Sequence, residues 1–199
     1  MYRIYSTEGL ILRSFDVGEA SKVLSLFTKE FGLLSARVQG VREERSKLRY
    51  HLQDFSLASF DLVRGKNGWR VTSARDSENL VLFPVVQKRN AALGVLVRVS
   101  SLLTRLLHGE EKNTELYSDV VSSFSILQNA VIEEGSLNDF EVLLLMRILH
   151  HLGYWGNDAV LSPFLNSFEI EKPETLASFA PVRRHAIRRI NAALKETQL

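Results

Sequence analysis

Five histidines are the first residues to weigh for chemistry, because an imidazole titrates near neutrality and ligates metals. His150 and His151 are neighbours, so on a helix their side chains diverge by about 100° and cannot share one ion. His51, His108 and His185 stand alone. Each reads as a surface or hydrogen-bonded histidine. Glu110-Glu111 and Glu133-Glu134 fall where helices are expected to end, and read as capping and dipole partners. The chain holds no G-x-G-x-x-G, no phosphate-binding P-loop, no G-x-S-x-G and no H-E-x-x-H. It has no cysteine, which removes disulfides, thiolate catalysis and every cysteine-based zinc or iron–sulfur site. No catalytic constellation assembles, and no metal or cofactor is expected. The balance is toward a binding protein rather than an enzyme.

The segment Arg37–Arg49 is the best functional candidate. It sets Arg37, Arg42, Arg45, Lys47 and Arg49 against Glu43 and Glu44, with Gly40 to turn the chain and Ser46 to add a hydroxyl donor. Phosphate oxygens ask for positive charge and donors rather than strict geometry, so such a loop beside a sheet suits a nucleic-acid backbone. Arg13, Lys22, Arg64, Lys66 and Arg70 extend the track. Phe15, Tyr50 and Trp69 are the nearby rings. An exposed ring stacks on a base, but the expectation is that Phe15 and Trp69 fill the core of a small barrel.

These residues need a scaffold, and the first 80 residues read as strands. Thr7–Phe15, Lys22–Thr28, Leu34–Gln39, Phe55–Arg64 and Trp69–Ala74 make five, with Gly65-Lys66-Asn67-Gly68 as a hairpin loop. Residues 41–54 interrupt them and have room for a short helix. Five short strands with an insertion between the third and fourth are the pattern of a small Greek-key barrel. From Pro84 the period becomes helical. Helices are expected over 87–108, from 112 or 113 to about 132, over Phe140–Leu152 with Asn138 or Asp139 as cap, and from 181 or 182 to Leu194. The fold class is therefore α+β, with a barrel domain over 1–80 and an all-helical domain over 81–199.

At 199 residues, 45% hydrophobic and 24% charged, the chain has the proportions of a globular protein. Its longest apolar stretch, around 91–107, is interrupted by Arg98 and Arg105, so no membrane span is expected, and the N-terminus lacks the pattern of a secretory leader. Net charge is only +2, but it is unevenly placed. Residues 1–80 hold 13 basic against 10 acidic side chains, 81–181 hold 7 against 12, and 182–195 hold 5 with no acid. A polyanion would meet the first half and the last helix rather than the centre.

The order of motifs resembles the RecO family of bacterial recombination mediators. The stretches that carry it are E-G-L-I-L-R-S (Glu8–Ser14), G-E-A-S-K-V-L-S-L-F-T-K-E-F-G (Gly18–Gly32), G-V-R-E-E-R-S-K-L-R-Y-H-L-Q-D-F (Gly40–Phe55) and, in the helical half, F-E-V-L-L-L-M-R-I-L-H-H-L-G-Y (Phe140–Tyr154). The resemblance implies an N-terminal OB-fold and a helical C-terminal domain. It implies binding of single- and double-stranded DNA, annealing of complementary strands, and partnership with RecR and single-stranded-DNA-binding protein in loading RecA, in the cytoplasm at the nucleoid. Arg42, Ser46, Lys47 and Arg49 match the family's basic loop, and Lys22 a basic position after the G-E pair. Many members carry a four-cysteine zinc module after the L-G-Y stretch, which this chain lacks. Asn138 and Asp139 stand where members often have basic residues near the docking place of the partner's acidic tail, which moves that expectation to Arg98, Arg105 or Arg147. An adaptor that holds a partner peptide in the helical domain with little DNA binding is the alternative, and an RNA-binding OB protein a weaker third.

Overall fold

The computed structural model describes residues 3–44, 46–81, 90–129, 132–165 and 170–197. It divides into two compact units, one of Met1–Leu82 with Ser100–Tyr117, the other of Phe83–Val99 with Ser118–Leu199. Residues 100–117 thus group with the strands, where the sequence places everything beyond residue 80 in a helical domain.

In the first unit, β1 (Ile4–Val17), β2 (Ser21–Thr28), β3 (Gly32–Val38), β4 (Ser56–Gly65) and β5 (Gly68–Asn79) close into a barrel in the order β1-β2-β3-β5-β4. All pairings are antiparallel except β3 with β5, where Ala36 faces Trp69 and Arg37 faces Arg70. This is the five-stranded Greek-key barrel of the OB-fold. Strand β1 reaches 14 residues because its register shifts between Ile11 and Arg13. The bulge bends it, so that its first half pairs with β4 and its second half with β2. The same bulge buries Leu10, Ile11 and Leu12 in succession, which hides the two-residue alternation from a reader of the sequence. The interior is filled by Ile11, Leu24, Leu26, Leu34, Phe60, Leu62 and Val71 among others, and Trp69 belongs to it.

Among the described residues, the insertion between β3 and β4 contains one 3-10 turn, Lys47–Tyr50. Val41 and Leu52 bury into the barrel core on either side of it, so Arg42, Lys47 and Arg49 between them are held outward. On the β2–β3 side, Gly32 takes φ +68, and a Cβ there would collide with the backbone of Glu111. The segment that contains Glu111 is tied on by a 2.8 Å bond from the Trp69 indole nitrogen to Glu110 and a 2.7 Å bond from Lys112 to Glu30. Glu110 therefore bonds to the barrel instead of serving only as a helix-end charge.

Of the helices, α1 (Asn90–Leu106) and α2 (Thr114–Gln128) each contribute to both units, whereas α3 (Leu137–His151), α4 (Ser162–Leu165), α5 (Pro173–Phe179) and α6 (Arg183–Glu196) lie in the second. Helix α3 buries Phe140, Leu143, Leu144, Met146, Ile148 and Leu149, more than one face, so it is the central helix of that unit. It packs against α6, which offers the small buried residues Ala186 and Ala193 around Ile190. A 3-10 turn at Glu134–Ser136 runs into α3, and the Ser136 side chain makes no capping bond. Asp139 does not cap the helix from outside: it is buried in the first turn and bonded to Arg183 at 3.2 Å. No described helix is long and apolar enough to cross a membrane.

Candidate nucleic-acid interface

Strand register decides which cations meet. Val17 faces Ser21 across the β1–β2 turn, Lys22 faces Val38 at the end of β3, Arg37 faces Arg70 at the start of β5, and Gly65 faces Gly68 across the β4–β5 turn. Both turns and the exit of β3 into the basic insertion therefore share one end of the barrel. In OB-folds this end, with the outer face of β2 and β3, is where oligonucleotides bind.

At that end the insertion is pinned to the β1–β2 turn. Arg42 donates its backbone N–H to Ala20 at 3.1 Å and its Nη1 to the Gly18 carbonyl at 2.9 Å. Gly18 presents that carbonyl from a left-handed conformation, φ +63. Asp16, Lys22, Val41, Arg42, Arg49 and Leu52 then line one cavity. Three of the expected cations thus converge, but an acid sits among them: Asp16 lies 3.4 Å from Arg42 and 4.0 Å from Lys22. Arg49 lies over the Tyr50 ring at 5.2 Å and donates to its hydroxyl at 3.3 Å. Lys47 and Arg37 are exposed, and among the described residues neither has an ion-pair partner. Ser46 is half-buried ahead of the 3-10 turn without a side-chain capping bond, and Arg45 lies outside the described residues.

The outer face of the sheet adds a row that register makes legible. Phe15, Val23, Arg37 and Arg70 are successive partners across β1, β2, β3 and β5, so their side chains project on the same side. Phe15 is 43% exposed, with the Arg13 guanidinium 4.1 Å from its ring centre. The expectation of a buried Phe15 fails, while that of a buried Trp69 holds at 6% exposed. Tyr50, at 66% exposed, is the second open ring near this end. Arg64 does not join the free cations, because Glu110 holds it at 3.1 Å. Asp16 and the openness of Phe15 were missed by sequence reasoning. The spacing Arg13-x-Phe15-Asp16 was the available signal, masked by the bulge just before it.

The arginines expected to meet a partner's acidic tail are differently placed. Arg98 is held by Glu141 through two bonds of 2.6 Å, and Arg147, 7% exposed, is bound to Asp119 at 2.7 Å. Both already have a carboxylate. Arg105 is exposed in the last turn of α1 and falls in the other unit. Two histidines that stand alone in the sequence have partners, His51 with Ser77 at 2.5 Å and His185 with Asp158 at 2.8 Å, and His151 is bonded to Asp119 at 3.0 Å.

The stretch after Leu152-Gly153-Tyr154 does not fit a four-cysteine zinc module, since its donor set contains no thiol. Among the described residues no group of three or more acidic or imidazole side chains could hold a metal ion. Asp158 organises this region instead. Its carboxylate accepts from the backbone N–H of Val160 and Leu161 and from His185, with Arg189 at 3.6 Å. Burial alone raises the Asp158 carboxyl, but the bonds from His185, Leu161 and Val160 outweigh it and hold it below the usual carboxylate range.

Residues 1–78 match the family described as Recombination protein O N terminal. Beyond that domain, the chain is 29% identical over 177 residues to the DNA repair protein RecO of Chlorobium phaeobacteroides, a match that covers 87% of this chain and 64% of that protein. It is 25% identical over 171 residues to the protein of the same name from Caldanaerobacter subterraneus, covering 83% and 68%. Against that of Rubrobacter xylanophilus it is 32% identical over 139 residues, covering 62% and 55%. The matched stretch spans between about half and two thirds of the length of these relatives. Residues 1–78, the barrel, thus match the RecO N-terminal domain, and the chain as a whole is similar to proteins named DNA repair protein RecO.

Proposed function

We propose that this protein is a DNA repair and recombination mediator that binds single- and double-stranded DNA at the open end of its barrel and anneals complementary strands. The observation that carries the reading is the convergence of Lys22, Arg42 and Arg49 on one cavity, flanked by exposed Arg37 and Lys47 and by the open ring of Phe15. Cations of this kind neutralise phosphates whatever the base sequence. An exposed ring on the adjacent face gives single strands an added stacking contact. Annealing needs no bond made or broken: two strands repel less when their phosphates are screened on a basic surface. The reaction is thus one of binding rather than catalysis. Asp16 tempers the site, leaving a net positive end rather than a dense cationic groove.

Kinship with proteins named DNA repair protein RecO supports the repair role and, with it, a place in the cytoplasm at the nucleoid. In this reading the chain acts with RecR and single-stranded-DNA-binding protein to load RecA. Internal pairing of Arg98 and Arg147 argues against a peptide-binding adaptor built on those two residues. The test is annealing of complementary strands, naked and coated with single-stranded-DNA-binding protein. Acceleration of both supports a mediator. No acceleration of either, with no binding to labelled DNA, refutes it.

A further inference from the structure

Helix α6 carries five cations and no acid between residues 182 and 195, and the structure sorts them. Arg183 is bound to Asp139 at 3.2 Å, and Arg189 stands 3.6 Å from Asp158 and 5.8 Å from the centre of the Trp155 ring. Those two hold the helix to its unit. Arg184, Arg188 and Lys195 are exposed, and among the described residues none of the three has an acidic partner. At 100° per residue they fall within about 40° of one another, spread along roughly 16 Å of axis. That arc is opposite the buried Ala186, Ile190 and Ala193. Arg184, Ile187 and Arg188 line a shallow depression, with Ile187 38% exposed. A solvated face needs no such selection. Here Asp139 and Asp158 are taken up by Arg183 and Arg189, and a cationic stripe remains beside one open apolar side chain.

We propose that this outer face of α6 holds a second nucleic-acid strand, through phosphate contacts at Arg184, Arg188 and Lys195, while the barrel holds the first. The inference rests on the DNA-binding reading of the barrel but concerns a different unit and different residues. Charge complementarity favours a polyanion: the contacts are point charges without a carboxylate or a fixed polar socket to select a peptide sequence. Annealing needs two strands on one protein, and a stripe in each unit supplies two places.

The test uses the full chain and three variants: Arg184→Ala/Arg188→Ala/Lys195→Ala, the charge-preserving Arg184→Lys/Arg188→Lys, and Lys47→Ala/Arg49→Ala in the barrel. Protein saturated with one labelled single strand is mixed with a second, non-complementary labelled strand, and energy transfer reports capture of both. The triple alanine variant is expected to keep first-strand affinity within about threefold and to lose second-strand capture and annealing rate by about tenfold or more. The lysine variant should retain both, since a phosphate contact tolerates either cation. Unchanged capture in the triple variant overturns the proposal. So does normal annealing of naked strands with failure only on protein-coated ones, which would mark the face as a dock for an acidic protein segment. If instead the barrel variant leaves first-strand affinity unchanged, it is the barrel reading that falls, whatever α6 does.

Discussion

The carboxylate of Asp16 lies 3.4 Å from Nε of Arg42, and the same guanidinium donates through Nη1 to the Gly18 carbonyl at 2.9 Å. One acid and one turn thus hold the first cation of the insertion over the β1–β2 connection. The pair is partly exposed, so its own contribution to stability is small. Its effect on a polyanion is larger, because Asp16 also faces Lys22 across the same cavity. Asp16→Asn is expected to tighten single-strand binding about threefold and to steepen the salt dependence, as one more cation becomes available to phosphate. Fluorescence anisotropy across a salt series checks it; weaker binding would mean that Asp16 is needed to shape the site.

Phe15 separates stacking from charge. Phe15→Ala should weaken single-strand binding by about 1–3 kcal/mol, the range for one stacked base, and leave duplex binding nearly unchanged. Thermal unfolding should move little, because the ring is already 43% exposed. An equal loss on both substrates would assign the ring to shape rather than stacking.

Tyr117 tests the first unit's packing. Its ring meets Phe27 edge-on at 5.4 Å, while its hydroxyl is buried without a hydrogen-bond partner among the described residues. Burial, with the negative charge of Glu8 nearby, pushes the phenol above its ordinary range. Tyr117→Phe keeps the ring and removes the orphaned oxygen. Urea unfolding should show a neutral change or a gain of about 1 kcal/mol. A loss greater than that would mean the hydroxyl has a partner.

Arg98 and Arg147 should behave differently despite similar pairing. Arg147→Ala leaves the largely buried Asp119 with His151 alone of its two named partners and is expected to cost about 3 kcal/mol, the low end for breaking a buried pair. Arg98 is 57% exposed, so Arg98→Ala should cost no more than about 1 kcal/mol. Denaturant unfolding compares the two, and equal costs would contradict the burial argument.

Asp158 gives a pH signature. Its carboxyl is held below the ordinary value, so its stabilising contribution is present above about pH 4, the unfolded value, and is lost as pH falls through the folded one. Asp158→Asn should lower stability at neutral pH and flatten the acid limb of the stability curve. An unchanged acid limb would mean that other carboxylates dominate it.

Much of this architecture was legible in the sequence, and the misses have physical causes. The Asn-Gly turn and the buried alternation of Phe60 and Leu62 announced β4 and the turn into β5. The tail of β5 was hidden because Arg75, Asp76 and Glu78 are polar and exposed, and their pairing with the start of β4 leaves no apolar trace. The charge of the insertion was visible, but its counter-charge was not, because Asp16 arrives from another strand. Exposure of Phe15 depended on a register shift two residues earlier. Arg147 and Arg98 looked available because their acids, Asp119 and Glu141, meet them through space: the first lies on another helix, and the second is 43 residues from Arg98.

The most direct measurement is a salt titration of single-strand binding by the full chain and by Lys47→Ala/Arg49→Ala. The account predicts a weaker complex for every base sequence and a log–log salt slope reduced by about 0.7 for each contact removed. Equal affinity and an equal slope in the two proteins would contradict it.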